Sequence, residues 1–166
     1  PAGMNLKVGL YSDGTRDWQV DLNYPRYGFG YQFSSLGGDI LGNAHAVYLF
    51  VGSDFWRYNR WRWYYDLGAG VGFIDNPYNE ENNPLNIVNG SVTNAFLRIS
   101  SGMSYQINYK HTFGVNGGLF HLSNGNSSLP NWGINTLYLS DNWQYRLSDS
   151  LSLQNEYQKT KKQIRL

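Results

Sequence analysis

The stretch that decides the fold is RWRWYYDLGAGVGFI, residues Arg60–Ile74. Its odd-numbered positions are all aromatic or aliphatic, whereas its even-numbered positions are Arg, Tyr, Asp and Gly up to the final Ile. This alternation with a period of two predicts a β-strand. The strand would be longer than the five or six residues usual in globular sheets, and its length suits a tilted membrane-spanning strand.

The same alternation recurs along the chain. It is clear in residues 26–33, 94–107, 112–119 and 136–147, and shorter candidates are 4–11, 16–22 and 40–52. Counting each as a strand gives eight by Leu147. Residues 148–166 continue an alternating pattern at Leu151, Leu153 and Tyr157, so they are either an extra strand or a periplasmic tail. If 4–11 and 16–22 are instead one loop-bearing unit, the tail becomes the eighth strand.

Composition narrows the class of protein. The mean hydropathy is −0.51 and no run reaches the roughly 18 apolar residues of a spanning helix, which excludes a helical membrane protein. Thirteen basic against twelve acidic residues give a net charge of +1, which argues against a nucleic-acid partner. The chain contains no Cys, so disulfides and thiolate metal sites are excluded. The length of 166 residues indicates one domain, with a core of residues 4–147.

Alternating strands fit either a soluble barrel with its apolar face inward or a membrane barrel with that face toward lipid. Inward-pointing Trp61, Trp63 and Phe73 would crowd a small barrel, and the Gly-rich face would then meet water with little charge. In the opposite orientation the Gly residues face the lumen and leave room there, and Arg62 and Asp66 can pair with other polar side chains inside it. We therefore predict an all-β fold, a small antiparallel transmembrane β-barrel of about eight strands with its apolar and aromatic face toward lipid.

The connections give a check on this prediction. The two longest stretches without alternation are 76–90 and 124–132, and two strands joined by a tight turn near Asn108 separate them. Both long loops therefore fall on one rim, which we interpret as the outer one. The same parity places Trp61, Trp63, Trp143 and Tyr145 together near the opposite rim, where an aromatic girdle is expected.

The chemistry centres on His121 and Ser123 in the segment Phe120–Gly125. Residues two apart on a strand share a face, here the face assigned to lipid, where a polar pair is costly. A lone His-x-Ser is a weak signal for a nucleophile and its base, and both residues could simply lie in the headgroup layer. His45 and His111 have no Ser, Asp or Glu in register beside them, so we interpret both as structural.

The hairpin after this pair carries a more specific pattern. His-x-Ser-Asn at residues 121–124 and Pro-Asn-x-Gly-Ile at residues 130–134 closely resemble the lipid A 3-O-deacylase family of outer-membrane acyl hydrolases. The resemblance extends more loosely over residues 68–73 and 83–86 and covers most of residues 4–147. It implies an eight-stranded barrel with the active site on its outer wall, in which His121 is the general base, Ser123 is the nucleophile, and lipid A loses its 3-position hydroxyacyl chain.

The third catalytic position departs from the family pattern. The family has Glu directly after the Gly-Ile pair, whereas this chain has Asn135. An amide oxygen can accept a hydrogen bond from imidazole and fix its tautomer, but it brings no charge to stabilise an imidazolium. Asp141 lies six residues further, roughly 20 Å along a strand, which is too far to substitute. Glu80 or Glu81 on the same rim is a less favoured substitute.

Donors for an oxyanion are expected from Asn124, the Gly125 amide and Asn131, although turn formation alone could explain these residues. No cofactor and no catalytic metal are expected. A solvated acidic loop explains Asp75, Glu80 and Glu81 better than a cation site does.

Two hypotheses follow, and a third would require the alternation to be inverted. The first is a Ser-His esterase acting on lipid A, or lipopolysaccharide, in the outer membrane of a Gram-negative bacterium. The second is a non-catalytic barrel, structural or accessory to a protein partner in a membrane assembly, with a relic hydrolase motif. The third is a soluble lipocalin-like binder.

Overall fold

A computed structural model describes residues 2–147 of the chain. They form one antiparallel seven-stranded sheet in which every strand pairs with its sequence neighbour. The strands are β1 (Gly3–Tyr11), β2 (Arg26–Ser35), β3 (Asn43–Tyr58), β4 (Trp61–Ile74), β5 (Thr93–Gln106), β6 (His111–Ser123) and β7 (Ile134–Tyr145), and a short helix α1 (Asp17–Asp21) lies between β1 and β2. The predicted tail, residues 148–166, lies outside the described residues.

The sheet curls, and its apolar face points outward. On β4 the odd-numbered Leu67, Val71 and Phe73 are exposed, while the even-numbered Tyr64, Asp66 and Ile74 are buried. The Tyr11 hydroxyl on β1 lies 3.3 Å from Gln144 Oε1 on β7, so inward side chains of the first and last strands meet inside the curl. The prediction of a barrel wall with its apolar face toward lipid is confirmed, and the inverted soluble barrel is wrong.

Two layers of side chains fill the lumen. Toward one rim, an apolar cluster packs around Tyr48, Phe96 and Leu122. Toward the other, Arg26 and Asp66 belong to a network of buried ion pairs. Glycine makes room for the large rings, as predicted, because a Cβ at Gly68 would lie 2.8 Å from the Tyr48 ring.

The interpretation of 16–22 as a strand is wrong. This segment lies in the connection between β1 and β2, whose direct pairing continues to Tyr11 opposite Arg26. Its apolar residues Trp18 and Leu22 are four apart, a spacing that suits one helical face as well as alternation, and the Leu22 N–H donates to the Trp18 carbonyl. The eighth strand of the preferred count is therefore absent from residues 2–147.

The predicted placement of the two loops 76–90 and 124–132 on one rim, with the aromatic girdle at the other, is confirmed, although the connection 12–25 is also long and lies at the rim of the girdle. The connections 75–92 and 124–133 lie at one end of the sheet, here called the outer rim, and the tight turns 59–60 and 107–110 lie at the other, the inner rim. At the inner rim the Trp61 ring packs 4.9 Å from Tyr105, and the Trp143 ring lies 6.3 Å from Tyr145. The chain from residue 2 to 147 contains no helix long and apolar enough to cross a membrane.

Candidate active site

Strand β6 presents His121 and Ser123 on the outer wall next to the outer rim. Their neighbours Phe120 and Leu122 point into the lumen and are only 2% and 1% exposed. Because side chains alternate along a strand, this buried pair fixes the direction in which His121 and Ser123 point. The apolar core of the barrel therefore positions two polar residues on its lipid-facing surface.

His121 makes its hydrogen bond with Asn135 of the neighbouring strand. The two residues are register partners on β6 and β7, and His121 Nδ1 lies 2.8 Å from Asn135 Oδ1. Since an amide oxygen can only accept, the imidazole carries its proton on Nδ1 and leaves Nε2 as a free lone pair. This is the tautomer that a general base acting through Nε2 requires.

Ser123 is hydrogen-bonded to the following hairpin rather than to His121. Its hydroxyl donates to Asn131 Oδ1 over 3.2 Å and accepts from the Gly125 N–H over 3.3 Å. The Asn124 N–H also donates to Asn131 Oδ1, over 3.3 Å. The structure thus brings Ser123, Asn131 and Gly125 into direct contact.

The hairpin that carries these groups, residues 124–133, is fastened to the connection 75–92. The Trp132 N–H donates to the Val88 carbonyl over 2.9 Å, and the Gly90 N–H donates to Pro130 over 2.6 Å. Asn124 donates its side-chain amide to Ser128 within the hairpin over 2.9 Å. The loop beside Ser123 is therefore held in place by a second loop.

Gly133 is a site residue that sequence reasoning missed. It has a φ of 71°, which favours glycine, and a Cβ at this position would lie 2.8 Å from His121 Cε1. A side chain here would push the imidazole away from Asn135. The signal in the sequence is the Gly of the Pro-Asn-x-Gly-Ile pattern at residues 130–134, a residue type that tolerates a positive φ.

An open apolar groove runs along the outer wall below His121. It has a volume of about 600 Å³ and crosses β3 to β6. Its outward-facing lining consists of Leu49, Val51, Leu67, Ala69, Leu97, Ile99, Leu119 and His121. The groove is a surface on which an acyl chain can lie with its end at the imidazole.

The remaining candidates lie away from this cluster. Tyr31 binds His45 Nδ1 at 2.8 Å, and His111 Nδ1 accepts from the Trp143 indole at 3.1 Å. Asp141 pairs in register with Val115, six residue pairs along β6 and β7 from His121. Residues 2–147 hold no group of His, Asp and Glu that could bind a metal ion.

Comparison with known proteins gives two matches. A family model described as "Lipid A 3-O-deacylase (PagL)" matches residues 4–144. A solved structure described as "Crystal structure of the outer membrane enzyme PagL" is similar with a TM-score of 0.57 and 18% identity, covering 87% of this chain and 87% of that one. This second match shows that the fold is shared. No curated protein matches the chain.

Proposed function

The chain belongs to the lipid A 3-O-deacylase (PagL) family, and from this premise we propose that it hydrolyses an ester-linked hydroxyacyl chain of lipid A in the outer membrane. His121, Ser123 and Asn135 perform the reaction. The substrate reaches them sideways from the outer leaflet, since all three face the lipid side of the wall. Residues 4–147 act as one domain in this proposal, and a protein partner stays a prediction.

The observation that carries the proposal is the His121–Asn135 pair. The hydrogen bond from Nδ1 leaves Nε2 unprotonated on the same face of β6 as Ser123. For the reaction, the Ser123 hydroxyl turns from Asn131 toward this nitrogen. Ser123 Oγ then attacks the ester carbonyl carbon while His121 Nε2 takes its proton.

The tetrahedral intermediate collapses as His121 returns the proton to the departing sugar oxygen. An acyl-Ser123 ester and a free hydroxyl on lipid A result. Water, deprotonated by His121, then cleaves the acyl-enzyme and releases the fatty acid. No step needs a metal ion or a cofactor.

The oxyanion of each tetrahedral step requires donors near Ser123 Oγ. The Gly125 N–H already lies 3.3 Å from this oxygen. The Asn131 side-chain amide, whose oxygen accepts the Ser123 hydroxyl, supplies the second donor from its nitrogen. Asn124 supports the loop through its hydrogen bond to the Ser128 carbonyl. This support keeps the Gly125 N–H directed at Ser123 Oγ.

The proposal is tested by mass spectrometry of lipid A that has been incubated with the purified protein in mixed detergent–lipid micelles. We expect the loss of one hydroxyacyl mass, with a rate that falls by about 10⁴-fold or more in Ser123→Ala. Ser127→Ala is the matched control, because this hydroxyl lies in the same hairpin and bonds only to the Asn124 carbonyl. Equal activity in wild type and Ser123→Ala would overturn the mechanism.

A non-catalytic barrel is the second candidate, and the neutral residue at position 135 favours it. An amide offers no charge to stabilise the imidazolium that forms during attack. Inactive wild type beside an active Asn135→Glu variant would identify this chain as a disarmed member of the family.

A further inference from the structure

The six tryptophans of the chain are distributed unequally between the two rims. Five lie at the inner rim, either near the ends of strands or in the connection 12–25, namely Trp18, Trp56, Trp61, Trp63 and Trp143. Trp132 alone lies at the outer rim, within the hairpin that contacts Ser123 and His121. All six are among the described residues, so this asymmetry is complete for tryptophan.

The Trp132 side chain projects away from the protein. It is 82% exposed, the highest value of any tryptophan. No side-chain hydrogen bond or ring contact holds it within the described part of the chain. Its backbone is nonetheless fixed, because its N–H donates to the Val88 carbonyl over 2.9 Å. A rigid backbone thus presents an indole that folding does not use.

The residues on both sides of Trp132 contact the proposed catalytic pair. Asn131 accepts the Ser123 hydroxyl, and Gly133 lies directly against the His121 ring. Because His121 and Ser123 are on the outer wall, this part of the hairpin lies along the lipid-facing side of the rim. The exposed indole therefore projects from a segment whose two flanking residues contact the outward-facing His121 and Ser123.

The outer rim has a gap in its aromatic residues on this side. The row of paired residues that carries Phe33 on β2 and Phe73 on β4 continues on β5 as Thr93. The next residue of β5 that faces outward, one step further from the outer rim, is Ala95, which pairs with Ser123. Near the outer rim, the outward-facing positions of β5, β6 and β7 carry no Trp, Tyr or Phe, and Trp132 lies on this side of the barrel.

The height of Trp132 matches a membrane interface. Ala95, level with Ser123, and Tyr105, level with Trp61, are ten residues apart on β5. Ten residues span about 33 Å along a strand, which is about 25 Å across the membrane at the tilt usual for such barrels. This equals the apolar band that separates two aromatic girdles.

We propose that Trp132, assisted by the exposed Leu129 of the same hairpin, is an interfacial anchor that binds the outer-leaflet lipid surface and holds the catalytic hairpin at the depth of the substrate ester. Indole suits this place because its ring is apolar and its N–H can donate to ester or headgroup oxygens. The proposal rests on the proposed function for its kinetic consequence, but its membrane contact is independent of any activity.

The membrane contact is tested first, with the full chain in phosphatidylcholine vesicles. Fluorescence of wild type minus that of Trp132→Phe isolates the Trp132 emission from the five inner-rim tryptophans. In vesicles with lipid brominated near the top of the acyl chain, we expect this difference to fall about twofold or more, with little quenching by aqueous iodide. Quenching by iodide and none by brominated lipid would overturn the anchor, whether or not the protein is a hydrolase.

The kinetic arm compares two substrates. For lipid A in mixed micelles, Trp132→Ala is expected to raise KM about tenfold, since a buried indole contributes that much to partition into lipid, and to leave kcat within about twofold. Hydrolysis of a water-soluble short-chain nitrophenyl ester should not change, and Trp132→Phe should restore most of the affinity. Trp18→Ala, an exposed tryptophan at the inner rim, is the matched control. A fall in kcat on both substrates would overturn the anchor and assign Trp132 to the chemistry, whereas inactive wild type would contradict only the proposed function.

Discussion

The lumen and the outer wall of this barrel each hold a cluster of polar side chains, and the two clusters differ in how they are satisfied. In the lumen, Asp66 binds Lys7 at 2.8 Å and Arg26 at 2.9 Å, and Arg26 also binds Asp54 at 3.0 Å. On the wall, His121 has a single neutral partner, Asn135. In the lumen cluster the charged side chains pair with opposite charges. On the wall, His121 Nε2 has no hydrogen-bond partner among the described residues.

This difference separates stability from reactivity within one sheet. A buried ion pair becomes strongly destabilising when one partner is lost, because the remaining charge cannot be solvated. A half-satisfied imidazole facing lipid contributes little to folding but can accept a proton from a nearby hydroxyl. We therefore expect lumen substitutions to change unfolding and wall substitutions to change catalysis.

The largest effect is expected from Asp66→Asn in the lumen. It removes the carboxylate that binds Lys7 and leaves Arg26 with Asp54 alone, so the free energy of unfolding should fall by about 3–5 kcal/mol. Denaturant unfolding in detergent, followed by tryptophan fluorescence, measures this loss. Lipid A hydrolysis per folded molecule should stay within about threefold, and a larger loss would break the division between the two clusters.

On the wall, Asn135→Glu should raise kcat on lipid A about tenfold or more, because a carboxylate stabilises the imidazolium that forms on attack. Asn135→Leu, which cannot accept from His121 Nδ1, should lower kcat and serves as the paired variant. Fatty acid release measured by mass spectrometry compares the three proteins. An unchanged rate in both variants would show that position 135 does not orient His121.

The smallest effect is expected from Ser104→Ala, which removes a neutral partner of a charged side chain in the lumen. Ser104 is 1% exposed and accepts from Arg62 Nε over 2.8 Å. Arg62 keeps Tyr11 and Gln144 as partners, so the free energy of unfolding should fall by only about 1 kcal/mol. The same denaturant titration measures it, and a loss as large as that of Asp66→Asn would mean that neutral and charged partners contribute equally.

The sequence predicted strands best where the alternation was long. Strand β4 was predicted from Arg60 to Ile74 and is found from Trp61 to Ile74. Over the seven residues 16–22, alternation was indistinguishable from the four-residue spacing of a helix, and the pairing of Tyr11 with Arg26 left no room for a strand. The candidate 4–11 is only one residue longer and is found as β1, so strand pairing, rather than the length of the pattern alone, decided between the short candidates.

Alternation predicted that His121 and Ser123 share one face of a strand, and the resemblance to the lipid A 3-O-deacylase family supplied their roles and singled out Asn135. The hydrogen bonds of these residues were not predicted. That Ser123 bonds to Asn131, and that Gly133 lies against His121, depends on how the hairpin folds back over the wall. Asp66 forms ion pairs with Lys7 and Arg26, which lie 59 and 40 residues away from it in the chain.

The sequence by itself determined the strand period, because side chains alternate along an extended backbone. It also determined the outward direction of the apolar face, because the large aromatic rings would crowd the inside of a small barrel. The connections 76–90 and 124–132 were placed on one rim because two strands separate them. Only the tertiary structure decided which charges meet in the lumen, which loop residues bond to Ser123, and that Trp132 of that loop is exposed. These depend on curling the sheet, which brings together residues that no local pattern relates.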